Sequence, residues 1–290
     1  MAYRAVRVGM RALGFEIRAM SRAELDTAVA WAGREGWNPG RQDAAAFHAM
    51  DPLGFLAGVQ DGRMVASISA VRYAPDYAFI GLFIVDRPWR GRGYGTRVWR
   101  AGMARLAAVS CVGLDGVPAQ EGDYRRAGFA TAYGNRRYGG AAPQGGSPDG
   151  LVDARTLPIG AILALDRAMF PAPRAAFLAQ WIGLPGHRSL AALSDGRIAG
   201  LGIARPCAQG TKIGPLYADD RATAERIVRG LCATDGGPAF LDVPDVNAAA
   251  VAMAESFGWS VSFTAARMYR GPAPCVDLAR LFGVTTLELG

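Results

Sequence analysis

The sequence predicts an α/β fold made of two related units, each a mixed, mostly antiparallel sheet flanked by helices. Three observations predict it. The chain repeats itself after about 130 residues. Each unit carries an Asp-Gly hairpin between apolar strands. One strand runs through a glycine-rich loop into a helix and on to another strand, the signature of a βαβ crossover.

The repeat keeps its order along the chain. Phe55–Arg63 (FLAGVQDGR) resembles Ser189–Arg197 (SLAALSDGR), and Ile80-Gly81-Leu82 returns as Ile213-Gly214-Pro215. Leu114-Asp115 with Val117-Pro118 returns as Leu241-Asp242-Val243-Pro244, Gly128-Phe129 as Gly258-Trp259, and Arg136–Gly140 as Arg267–Gly271. Between the halves, Gly139–Gly150 (GGAAPQGGSPDG) lacks apolar periodicity and is dense in Gly and Pro, as a linker is. The division expected is residues 14–140, a linker at 141–150, a second unit at 151–271 and a tail at 272–290. The tail's Val276, Leu278, Leu281 and Phe282 predict that it docks as a short helix or strand.

In the first unit, alternating residues predict a strand at Phe15–Met20. Ser21 with Glu24 three residues on forms a capping box that starts a helix running to Arg34. Glu35-Gly-Trp-Asn-Pro-Gly40 breaks that helix, and a shorter one follows at Gln42–Met50. Strands are expected at Phe55–Gln60, Arg63–Tyr73 and Tyr77–Val85, then a helix at Gly93–Ala108, a strand at Cys111–Asp115 and a helix at Ala119–Ala127. Two strands, Phe129–Tyr133 and Asn135–Tyr138, close the unit.

Composition excludes several classes. At 290 residues the chain suits two domains, and no apolar run is long enough to span a bilayer. Met1–Leu13, with Arg4, Arg7 and Arg11, reads as a short leader. Four scattered cysteines and two histidines offer no CxxC or zinc spacing, which argues against a metal site or a disulfide framework and fits a reducing cytoplasm. The net charge of +7 is nearly all arginine, with Lys212 the single lysine. That bias matches GC-rich coding, and the arginines are spread along the chain, so nucleic-acid binding rests on charge alone.

The chemistry gathers at Leu82-Phe-Ile-Val85, followed by Asp86-Arg-Pro-Trp-Arg-Gly-Arg-Gly-Tyr-Gly-Thr96. Glycines let backbone N–H groups approach an anion, and the new helix offers unpaired N–H donors with the positive end of its dipole. Arg90 and Arg92 add charge suited to a diphosphate. A Walker loop would need Gly-Lys and then Ser or Thr, and a dinucleotide fingerprint would need G-x-G-x-x-G early in a parallel fold. Neither is present, so the loop reads as a pyrophosphate cradle, against the plain alternative of a flexible arginine-rich loop.

These residues resemble the GNAT superfamily of acyl-CoA N-acyltransferases. The family's R/Q-x-x-G-x-G/A motif appears as Arg90-Gly-Arg-Gly93-Tyr-Gly95, with Val85 ending a strand five residues earlier. Its Y-x-x-x-G-F signature appears as Tyr124-Arg-Arg-Ala-Gly128-Phe129. The second unit resembles a degenerate copy, as in a bacterial subfamily with an appended domain. The resemblance implies tandem GNAT-like domains and acetyl-CoA as acyl donor. The implied pantetheine wedge is at Phe83, Ile84 and Val85, with Gly81 at a strand bulge. The implied pyrophosphate cradle is Arg90, Gly91, Arg92, Gly93, Tyr94, Gly95 and Thr96. Tyr124 matches the proton donor to the leaving thiolate. Many relatives carry a base glutamate on the strand before the loop, yet Tyr77–Val85 has no carboxylate, so Glu35, Asp76 and Asp115 are all candidates. The acceptor wall implied by the family points to Trp31, Trp37 and Asn38 around Glu35. Core packing is the competing reading of the two tryptophans.

In the second unit, Asp219-Asp220-Arg-Ala-Thr-Ala-Glu-Arg226 has no glycine and two acids where phosphates would lie, and Ala254 stands at the place of Tyr124. This half is expected to have lost the chemistry. The expected activity is transfer of an acetyl group to the primary amine of a small molecule. The alternative is a CoA-binding regulator without turnover. A homodimer is left open.

Overall fold

The computed structural model describes residues 14–143, 150–233 and 236–290. The leader read at Met1–Leu13, and residues 144–149 of the expected linker, lie outside the described residues. The first unit runs β1 (Phe15–Ala19), α1 (Arg22–Arg34), α2 (Asp43–Met50), β2 (Phe55–Gln60), β3 (Arg63–Arg72), β4 (Tyr77–Val85), α3 (Tyr94–Arg105), β5 (Cys111–Gly116), α4 (Glu121–Arg126) and β6 (Ala130–Ala141). The second repeats that order as β7 (Leu151–Asp153), α5 (Ile159–Met169), α6 (Ala175–Gly183), β8 (Arg188–Ser194), β9 (Arg197–Pro206), β10 (Thr211–Ala218), α7 (Arg221–Cys232), β11 (Pro238–Pro244), α8 (Ala248–Ser256) and β12 (Ser260–Arg270). A short β13 (Leu281–Gly283) lies in the tail.

Local signals act as expected. Ser21 accepts from the Glu24 amide, and the Glu24 carboxylate accepts from the Ser21 amide at 2.8 Å, closing the capping box on α1. Asp61-Gly62 and Asp195-Gly196 all take positive φ, the geometry of a two-residue hairpin whose twist suits its strands.

The strands do not form two separate sheets. Among the described residues they make one sheet in the order β1-β2-β3-β4-β5-β12-β6-β11-β10-β9-β8-β7, with β13 paired to β10 off this path. The last strand of each unit is exchanged. β12 lies antiparallel to β5 of the first unit, and β6 lies antiparallel to β11 of the second. The two closing strands also pair with each other. The two short strands expected at Phe129–Tyr138 are one long strand, because β6 must span both β12 and β11.

Each exchange is pinned by a buried ion pair. Arg267 of β12 holds Asp115 of β5 through two contacts of 2.7 Å, and Arg137 of β6 holds Asp242 of β11 at 2.7 and 2.9 Å. Burial opposes both guanidinium charges, yet the facing carboxylates hold them charged, and Arg137 and Asp242 reinforce each other's ionisation. A second bond between units is apolar. α2 packs on α6 with Phe47 stacked on Trp181 at 6.2 Å, inside a core cluster that runs through both units.

Candidate active site

β4 and β5 run parallel but pair only from Tyr77–Ile80 with Cys111–Leu114. Beyond Ile80 they part, and the β5-facing edge of β4 from Gly81 to Val85 carries no strand partner. An unpaired strand edge is a template for another extended amide chain. β3 places three residues (Ser67 to Ser69) against four on β4 (Gly81 to Ile84), so β4 carries a bulge here. Leu82 sits at positive φ, and its carbonyl accepts from the Ser67 hydroxyl at 2.7 Å. A cavity of about 500 Å³ opens at this fork, lined among others by Phe83, Ile84, Val85, Arg90, Asp115 and Tyr124.

At the end of β4 the chain turns through the glycine loop. Gly91 and Gly93 have φ of 75° and 79°, where an L side chain is strained although open space surrounds both. Gly93 is the N-cap of α3 and supplies no side-chain acceptor, so the first-turn amides of Tyr94, Gly95 and Thr96 face outward uncapped. Gly95 is needed for packing, since a Cβ there would lie 3.3 Å from Val85 Cγ2. The Tyr94 side chain points away from the cradle, its ring 4.8 Å from Phe15 and its hydroxyl bonded to Gln60 at 3.1 Å. Arg92 lies over the Trp89 ring at 5.1 Å and remains exposed. Arg90 donates to the Val85 carbonyl at 2.9 Å and to Glu35 at 2.8 Å. The donor set (backbone amides, two arginines and a dipole end) suits a diphosphate.

Tyr124 projects from α4 into the cavity, its ring against Trp99 and Phe129. Gly116 makes room for it, because a Cβ there would lie 2.7 Å from Tyr124 Cδ2. Burial, with Asp123 beside it, pushes the phenol up to about 12. It therefore holds its proton at neutral pH and is available as a proton donor to a group bound in the cavity.

The remaining candidates divide. Glu35 and Trp37 line the cavity, but the Glu35 carboxylate is taken up by Arg87 and Arg90, which suits a brace for the loop better than a free base. Asp115 also reaches the cavity and is committed to Arg267 and Asn135. Asp76 sits at the far end of β4, where its carbonyl receives the Cys111 amide and the Ser110 hydroxyl. Trp31 is a core residue, 6% exposed, and lies outside the cavity. Asn38 is also outside. Its amide side chain pairs both ways with the Gln209 backbone, at 2.9 and 3.1 Å, and clamps the α1–α2 loop to the second unit. Trp31 and Asn38, expected in the acceptor wall, thus lie outside this cavity, and packing and the clamp account for their side chains.

Four of the lining residues come from the second unit and the tail, where no site residue was expected: Phe263 and Ala265 of β12, and Leu287 and Glu288 of the tail. The tail pairs with β10 at Leu216–Gly283 and Tyr217–Leu281, so it fills the fork between β10 and β11 that corresponds to the fork between β4 and β5. It then crosses to the first unit. A Cβ on Gly81 would collide with the Glu288 carbonyl, and one on Gly214 with those of Val284 and Thr285, so both repeat glycines admit the same segment. The sequence signal was the pair of Ile-Gly repeats, which marks close approach without saying what approaches.

The family model described as "Acetyltransferase (GNAT) family" matches residues 21–132, and "Acetyltransferase (GNAT) domain" matches residues 162–283. Holothin acyltransferase of Pseudoalteromonas sp. (strain SANK 73390) is 32% identical over 264 residues, covering 90% of this chain and 89% of that protein. The chain belongs to the GNAT acyltransferase family. As a member it is an acyltransferase, its donor is an acyl-CoA thioester, and the reading as a regulator without turnover gives way. In fold, this GNAT protein is similar to a crystal structure from Pyrococcus horikoshii assigned as an acetyltransferase. The TM-score is 0.81 at 22% identity, covering 99% of this chain and 100% of that one. It is also similar to a tandem GNAT protein from the clavulanic acid biosynthesis pathway, with TM-score 0.60 at 14% identity, covering 89% and 99%. No helix among the described residues is long and apolar enough to cross a membrane, and no group of side chains among them could hold a metal ion.

Proposed function

We propose that this GNAT protein is an N-acetyltransferase that moves the acetyl group of acetyl-CoA to the primary amine of a small molecule. The observation that carries this reading is the cavity at the fork. The bare β4 edge and Arg90, at the start of the glycine loop, line it on one side, and β12 and the tail wall it on the other. A wall made by the second unit leaves little room for a folded, lysine-bearing partner and suits a compact acceptor.

The pantetheine amides pair with the exposed edge at Phe83, Ile84 and Val85, while the diphosphate rests on the amides of 91–96 and on Arg90 and Arg92. Exchange of Arg90 from Glu35 to phosphate would couple donor binding to the α1–α2 loop, which carries Trp37 into the cavity. The amine attacks the thioester carbonyl directly. Backbone N–H groups at the β4 bulge stabilise the oxyanion, and Tyr124 protonates the departing sulphur. The 14–140 unit carries this chemistry, and the 151–271 unit serves as its wall.

Calorimetric titration with acetyl-CoA tests the donor. Saturable one-to-one binding is expected. Gly93→Glu should weaken it at least about 100-fold, because the new carboxylate enters the phosphate site on a backbone that disfavours any side chain. No binding by the unaltered protein would end the proposal. Thiol release with a panel of primary amines, and with holothin because a relative covered over 89% of its length is named for it, then tests the acceptor.

A further inference from the structure

The GNAT chemistry needs a group to take the proton that the attacking nitrogen sheds, and β4 supplies no carboxylate. Of the carboxylates that line the cavity, Glu35 and Asp115 are held by arginines. Glu288 is not. It is 2% exposed, and neither carboxylate oxygen has a hydrogen-bond partner among the described residues. A buried carboxylate left unpaired is costly and so asks for a purpose.

Its position answers that. The Glu288 backbone lies directly on Gly81, at the start of the β4 bulge where the thioester end of the donor would lie, and Glu288 lines the same cavity as Tyr124. Four charged groups face it from four elements: Lys212 on β10, Arg137 on β6, Asp43 on α2 and Arg205 on β9. Arg137 is spent on Asp242, and Arg205 lies 3.2 Å from Asp43. Lys212 donates to the Trp37 carbonyl at 3.1 Å, and burial lowers the pKa of its ammonium. Burial is the largest influence on Glu288 and raises its carboxyl above the usual range; Lys212 opposes that in part. Burial thus raises the proton affinity of this carboxylate, and the nearby Lys212 ammonium works against that rise.

We propose that Glu288, carried into the first unit's cavity by the tail, is the general base of the acyl transfer. The assignment rests on the N-acetyltransferase reading above. A nitrogen with its lone pair free forms the N–C bond, and the carbonyl π pair moves to oxygen. The N–H proton passes to Glu288. The oxyanion collapses, the C–S bond breaks with its pair on sulphur, and sulphur takes the Tyr124 proton. Glu288 returns its proton through solvent and Tyr124 regains one, so amine and thioester become amide and thiol with no net proton.

The test compares unaltered protein, Glu288→Gln and Glu288→Asp in thiol release from acetyl-CoA. The nucleophiles are holothin and, as one with no amine to titrate, water alone. Glu288→Gln should lower kcat at least about 100-fold while the acetyl-CoA Kd and the Tm stay within error. The unaltered enzyme should lose activity as pH falls through the raised Glu288 pKa, since the protonated acid cannot accept. That limb should vanish in Glu288→Gln and shift in Glu288→Asp, which should restore part of the rate. A folded Glu288→Gln enzyme with undiminished kcat and the same acid limb overturns the assignment. If that variant melts early, a folded Glu288→Asp enzyme with an unshifted limb does so instead. An unaltered protein that binds acetyl-CoA yet releases no thiol to either nucleophile also counts against it. Failure to bind acetyl-CoA at all is a separate result, which removes the underlying reading and this one with it.

Discussion

The two units offer the same fork twice, and only one is open. In the first, β4 and β5 part after Ile80, the bulge follows, and the helix beyond begins at an uncapped Gly93. In the second, β10 and β11 pair only from Thr211–Ile213 with Ala239–Leu241, and the same bulge appears where β10 places four residues (Ile213 to Leu216) against three of β9 (Gly202 to Ala204). There, β13 has taken the bare edge, and the helix beyond is capped by Asp220, whose carboxylate accepts the Thr223 amide at 2.7 Å. A fork with an open edge and an uncapped helix leaves backbone donors and acceptors free for a ligand. In the second unit, a strand in the edge and an acid on the helix satisfy the same groups from within the chain.

The largest expected effect breaks the reciprocity of the two units. Arg267→Met leaves Asp115 buried without its cation, and Arg137→Met does the same to Asp242. Each should cost about 3–5 kcal/mol in chemical denaturation, because an uncompensated buried charge remains. If the units are bound as one sheet, each variant should unfold in a single transition; two separate transitions would show that the halves melt independently. Next comes Tyr124→Phe, which separates donor binding from turnover. kcat should fall about 10²–10³-fold with the acetyl-CoA Kd unchanged. Since burial lifts the Tyr124 phenol to about 12, the unaltered enzyme should show no loss of activity from phenol ionisation between pH 7 and 9. The smallest effect sharpens the contrast between the helix starts. Asp220→Ala should cost about 1 kcal/mol as a lost cap and should not create a second acetyl-CoA site, because β13 still fills the edge. A second site in that titration would show that the acid alone had closed the fork.

Much of this was legible in the residues because it is local. The capping box at Ser21, the Asp-Gly turns, the glycine loop and the Tyr124 signature are fixed by spacing over a few residues, and so is the cap at Asp220 that replaces the glycines in the second unit. The misreadings have a common cause. Trp31 and Asn38 lie near Glu35 in sequence, but α1 turns Trp31 into the core, and the bond of Asn38 is to Gln209 of the other unit. The division at residue 141 followed the glycine-rich linker, whereas hydrogen bonding carries β6 through Ala141 to pair with Pro238.

The sequence by itself determined the tandem repeat, the family and the unit that carries the cradle, since each is a pattern of residue types at short range. Tertiary structure decided which strands neighbour each other, what fills the second fork and which carboxylates enter the first. A strand's edge pairs with whichever edge reaches it, and nothing in the residues of β5 names β12 as its partner. Glu288 is 207 residues from Gly81 and is joined to it only where the tail crosses the sheet, a contact the chain makes once both forks exist.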